Sequence, residues 1–122
     1  MVPALRITTA QIGSSAYVLS VTGELDVSNA DRLDSECARV VGRGGTRLVV
    51  DLVGVSFMDS AALGILTKGA KRIRSNGGEC VVVADDPRIR RVFEITGLDR
   101  LFRIEPSLAE AIDELLHGVA AG

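Results

Sequence analysis

Asp51-Leu52-Val53-Gly54-Val55-Ser56-Phe57-Met58-Asp59-Ser60-Ala61-Ala62-Leu63-Gly64-Ile65-Leu66 is the stretch on which the fold turns. The segment Leu48 to Leu52 that leads into it is a compact apolar run with Asp51 its one charge, and it reads as a buried strand. Leu63, Leu66, Ala70 and Ile73 then recur at helical spacing, while Lys68, Lys71, Arg72 and Arg74 take the wet side. Asn76-Gly77-Gly78 stops this helix. A strand therefore runs through a loop into a helix, the unit from which parallel sheets are built.

The same reading extends in both directions. Upstream, Leu5 to Thr9 is a short strand, Gly13-Ser14-Ser15 a turn, and Ala16 to Thr22 a second strand. Together they form a hairpin. Gly23 to Asp26 reads as a loop, and Ser28, Asn29 or Asp31 is placed to cap a helix bearing Ala30, Leu33, Cys37, Val40 and Val41. Gly42, Gly44 and Gly45 end it. Downstream, Glu79 to Ala84 is a valine-rich strand. Pro87 opens a helix with Ile89, Val92 and Phe93 inward, and Gly97 stops it. Leu101 to Ile104 is a weak last strand, and Ser107 caps a final helix with Leu108, Ile112, Leu115 and Leu116. The order ββαβαβαβα, with helices as crossovers, predicts an α/β fold with a mixed, mainly parallel sheet. No repeat or linker divides the chain, so 1–122 is expected to be one domain with a frayed tail at about 118–122.

Composition narrows the function. Nearly half of the 122 residues are apolar, enough for a core, but only 3% are aromatic, so Val, Leu, Ile and Ala must build it. A net charge of -2 argues against a nucleic-acid binder and a polybasic membrane surface. Cys37 and Cys80 are far apart and sit in apolar-periodic segments, where cysteine behaves as a small hydrophobe. Reduced thiols suit the cytoplasm. Met1 to Arg6 lacks the basic start and apolar run of a signal peptide, and no stretch is long enough to span a bilayer.

Catalytic patterns are missing. The single histidine, His117, stands near the end of the last helix, where it meets the helix dipole favourably. No metal-ligand spacing, phosphate loop or GxGxxG after a strand is present, so neither enzyme, metal nor cofactor is expected. The turn at Asp59 and Ser60 is the remaining candidate. Either residue before an apolar-periodic run serves as an ordinary helix cap. A hydroxyl there is also exposed enough to be modified, and a phosphate would lie on free backbone N–H groups at the positive end of the helix. Ala61, Ala62 and Gly64 leave a flat approach for a partner.

At this turn the chain resembles the STAS family, the bacterial anti-sigma-factor antagonists. Gly23-Glu24-Leu25-Asp26 followed by Ala30 and Leu33 looks like the family's first signature. Asp51-Leu52 through Val55, Met58-Asp59-Ser60 and Leu63-Gly64 look like its second. Gly77-Gly78 before a valine-rich strand looks like its third, and Phe93, Thr96-Gly97-Leu98 and Phe102 like its closing pattern. The resemblance implies a four- or five-stranded mixed sheet with helices packed largely on one side. It implies a protein that binds an anti-sigma factor, often a serine kinase, and so releases a sigma factor. It implies phosphorylation by that kinase at the residue matching Ser60 and reversal by a PP2C-type phosphatase. The implied contact residues are Asp26, Val27, Ser28, Asn29, Asp59, Ser60, Ala61, Ala62 and Leu63, on a monomer or weak homodimer without direct nucleic-acid or membrane contact.

The chain departs from the family where Ser or Thr and then Gly usually follow the serine. Ala61 leaves Ser60 the sole hydroxyl of the turn, and Ala62 is expected to place a methyl in the path of a kinase loop. Two rival readings remain: a STAS regulatory subunit of an ABC-type lipid transporter, and a nucleotide- or small-ligand-binding sensor.

Overall fold

The computed structural model describes residues 4–117; the expected frayed tail at 118–122 lies outside them. Strands β1 (Arg6–Ile12) and β2 (Ala16–Leu25) form the hairpin, and α1 (Ala30–Gly42) follows. Then come β3 (Arg47–Met58), α2 (Ser60–Ser75), β4 (Glu79–Val83), α3 (Pro87–Thr96), a single 3-10 turn at Leu98–Arg100, β5 (Arg103–Glu105) and α4 (Leu108–His117). The five strands lie in the order β1-β2-β3-β4-β5. β1 and β2 are antiparallel, and all other pairs are parallel. The expected ββαβαβαβα order and mixed, mainly parallel sheet are what the structure has.

Period-two alternation decides which face each strand residue serves. Leu19 and Val21 of β2, Leu48, Val50 and Leu52 of β3, and Val82 of β4 point to one face. There they meet Leu33, Cys37 and Val40 of α1, Leu66, Ala70 and Ile73 of α2, and Ile89 and Phe93 of α3. The alternate residues Val18, Val49, Val81 and Val83 point the other way and pack on Ala111 and Leu115 of α4. Three helices thus cover one face and one helix the other. Cys37 and Cys80 are free and buried, as expected of small hydrophobes. Burial pushes their thiols up, to about 11 and about 12, so both stay protonated and unreactive at neutral pH.

Three expectations need correction. Gly23 to Leu25 is strand, not loop, and β3 continues past Leu52 as far as Met58. These extensions pair with each other: Thr22 with Gly54, Gly23 with Val55, Glu24 with Phe57, Leu25 with Met58. Register shifts at two points let them continue. Gly23 has φ +104 and lies against the Ala4 carbonyl, while a Cβ on Gly54 would come within 2.5 Å of Thr22 Cγ2. Glycine at both places permits this close pairing, and glycine is also what made the sequence look like a loop. The last strand is shifted too, from Leu101–Ile104 to Arg103–Glu105. The 3-10 turn after Gly97 absorbs Leu98 to Arg100, and the buried ring of Phe102 sits edge-on to Phe93 with centroids 5.6 Å apart.

Candidate functional site

The paired extensions of β2 and β3 carry two chain segments to the same end of the sheet. β2 delivers the loop Asp26–Asn29, and β3 delivers Asp59 and the start of α2. The first segment is held by its own side chains. Asn29 stands at the start of α1 but makes no side-chain cap. Instead its Oδ1 accepts the Asp26 N–H at 2.9 Å and its Nδ2 donates to the Glu24 carbonyl at 2.9 Å. Asp26 Oδ1 accepts the Ser28 N–H at 2.9 Å and also the Ser28 hydroxyl. The loop is a closed knot of short polar bonds, and it leaves Val27 77% exposed.

Asp59 joins that knot to α2. Its Oδ1 accepts the Ala62 N–H at 3.1 Å, capping the helix. Its Oδ2 accepts the Val27 N–H at 3.0 Å, across 32 residues of sequence. Its own N–H donates to the Leu25 carbonyl at 3.2 Å. The cap is therefore supplied by Asp59, and Ser60 is the first helical residue, exposed and not needed for capping. Of the residues expected to form a contact face, Asp26, Val27, Ser28, Asn29, Asp59, Ser60 and Ala61 come together here with some surface. Ala62 and Leu63 do not: they are 0% and 6% exposed, because the first turn of α2 directs them into the core. The Ala62 methyl consequently points away from any approaching loop, and the expected hindrance falls away. Gly64, one turn on, has nothing within 4 Å of where a Cβ would stand.

Residues 7–111 match the STAS domain family. The chain belongs to that family. An anti-sigma-B factor antagonist of Staphylococcus aureus is 38% identical to it over 89 residues, covering 72% of this chain and 82% of the relative. The crystal structure of an anti-sigma factor antagonist from Mycobacterium paratuberculosis superposes with a TM-score of 0.85 at 31% identity, over 93% of this chain and 95% of that one. The Bacillus protein SpoIIAA in its unphosphorylated form shares the fold, with a TM-score of 0.80 at 21% identity, over 94% of this chain and all of that one.

Within this STAS domain, the first two signatures are the strand extensions and the two segments they carry. One surface residue at this end was missed from the sequence. Phe57 is 49% exposed, paired with Glu24, while its neighbour Met58 is buried. Its signal was strand alternation, legible only if β3 had been read beyond Leu52. A second polar cluster lies where β5 meets α4. The carboxyl of Glu105 is raised to about 7 chiefly by its neighbour Glu114, with burial and Glu110 adding to the effect and Arg103 opposing it. Arg103 pairs with Glu114. Among the described residues no group of three or more His, Cys, Asp or Glu is placed to hold a metal, and no helix is long and apolar enough to cross a membrane.

Proposed function

We propose that this STAS protein is an anti-sigma-factor antagonist that binds a serine-kinase-type anti-sigma factor and is switched off by phosphorylation at Ser60. One observation carries the reading: the two carboxylate oxygens of Asp59 tie the Val27 loop to the start of α2, leaving the Ser60 hydroxyl spare on the surface. The contact face comprises Asp26, Val27, Ser28, Asn29, Asp59, Ser60 and Ala61, with Val27 and Phe57 as its exposed apolar anchors. The likeness to the S. aureus and M. paratuberculosis antagonists supports the partner class. A PP2C-type phosphatase would complete the cycle, and the cytoplasm, which supplies the kinase with ATP, is the fitting compartment.

The switch needs no refolding. A phosphate adds roughly -1.5 to -2 charges beside the carboxylates of Asp59 and Asp26. A partner surface that covers the turn must then desolvate that charge without compensation. A penalty of ~3 kcal/mol weakens binding about a hundredfold. Ser60→Ala should bind the anti-sigma factor and resist the kinase, while Ser60→Asp should bind about a hundredfold more weakly. Equal affinity of wild type and both variants in calorimetric titration would sink the mechanism.

A further inference from the structure

The exposed side of α2 does not end at Gly64. Helical spacing puts Ser60, Gly64, Thr67, Lys68, Lys71 and Ser75 on one stripe. Beyond the open space above Gly64, a shallow groove of about 480 Å³ is lined by Gly64, Thr67, Lys68, Lys71, Arg72 and Ser75. Three cations stand in or beside it. Among the described residues, Asp34 of α1 is the one carboxylate they meet, 3.3 Å from Lys68 and 3.5 Å from Arg72. Among the described residues, no carboxylate lies within ion-pair distance of Lys71. The groove therefore carries two positive charges in excess, in a chain whose net charge is -2.

We infer that this groove is a second docking surface, which receives an acidic segment of the same protein partner that covers the Ser60 turn. The inference rests on the proposed function above. Two features favour a protein partner over other anionic surfaces. The groove runs on from the contact turn along one helix face, so a single partner segment can cover both. The groove's two excess charges also fall short of the cluster of about four to eight basic residues that marks an anionic-lipid surface. Lys68 and Lys71 lie about 12 and about 16 Å along the helix from Ser60, at 1.5 Å per residue. Those separations exceed the ~8 Å Debye length at physiological salt. The groove therefore attracts the partner equally well before and after phosphorylation. It supplies recognition and on-rate, while the turn supplies the switch.

The test is calorimetric titration of the full chain with the purified serine-kinase-type anti-sigma factor, at low and physiological salt. Lys68→Glu/Lys71→Glu should weaken binding about tenfold, reduce its salt dependence, and lower Tm only slightly, through loss of the exposed Lys68–Asp34 pair. The same factor should appear when these changes are added to Ser60→Asp, because separated sites contribute additively. Arg91→Glu, an exposed charge reversal on α3, should have no such effect. Unchanged affinity of the double lysine variant overturns the inference, and so does an equal loss with Arg91→Glu, which would make net charge the cause. Vesicles rich in phosphatidylserine that bind wild type but not the double variant, with anti-sigma affinity unchanged, overturn it in favour of a membrane. Should Ser60→Asp weaken binding while the lysine variant does not, the groove alone is refuted. Should neither weaken it, the proposed function has failed and the groove inference with it.

Discussion

Two helices of this protein begin with the same device and use it differently. α2 opens with Asp59 and α3 with Asp86, and each carboxylate accepts a backbone N–H of its own first turn. Asp86 stops there. Its Oδ1 accepts the Arg88 N–H at 2.8 Å, and its Oδ2 pairs with the Arg88 guanidinium at 2.8 Å. All of its partners lie two residues away, and Arg88 holds its carboxyl below the usual carboxylate range. Asp59 keeps one oxygen for its helix and gives the other to Val27, at the far end of a different strand. A cap closed on its own neighbours is local structure. A cap that bridges two exposed segments builds a surface. Residue type alone does not separate the two cases.

The largest expected difference comes from removing each carboxylate. Asp59→Ala deletes a cap and an inter-segment hydrogen bond, and should cost about 2 kcal/mol in urea unfolding. It should also weaken anti-sigma binding at least about tenfold, because the Val27 loop loses its anchor. Asp86→Ala should produce only a small drop in Tm and leave binding as it was. If the two variants behave alike in the binding assay, the distinction between a local and a bridging cap is wrong.

A smaller effect sharpens the comparison. Asn29 holds the Val27 loop from the β2 side, through Asp26 and Glu24. Asn29→Ala should cost about 1 kcal/mol. Combined with Asp59→Ala it should be non-additive by about 0.5–1 kcal/mol, since both groups order the same loop. Asn29→Ala combined with Asp86→Ala should be additive.

The smallest expected effect is a pH dependence remote from both caps. Glu105 faces Glu114 and Glu110 of α4, with Arg103 beside it on β5, and its carboxyl is raised from 4.5 to about 7. A group raised in the folded state binds its proton more tightly there than in the unfolded chain. Its stabilising contribution is complete below about 4.5 and is lost as pH rises through about 7. Glu105 is half-buried, so solvent still screens part of this. Glu105→Gln should flatten the dependence of Tm on pH across that window, by about a degree or two. The binding face should be indifferent to the substitution.

Much of the site was legible before the fold was known. The Gly23-Glu24-Leu25-Asp26 and Met58-Asp59-Ser60 motifs marked both contributing segments, the second by its strand-to-helix turn and the first by its resemblance to a STAS signature. The strand ends were not legible. Gly23 and Gly54 look like loop residues in isolation, yet each sits in β-structure where a side chain would collide with neighbouring chain. Losing those strand ends also hid Phe57. Ala62 and Leu63 were misplaced for a related reason: adjacency in a first helical turn does not say which residues the tertiary packing turns inward.

The sequence by itself determined the order of elements, the α/β class and the two segments of the candidate site. Apolar periodicity and turn residues act over a few neighbours, and that information is written along the chain. Only the tertiary structure decided that the strands pair on beyond Thr22 and Leu52 and that the second oxygen of Asp59 reaches Val27. Those facts depend on how two strand ends, 32 residues apart, meet at one end of a sheet. No local pattern encodes that meeting; parallel pairing of β2 with β3 creates it.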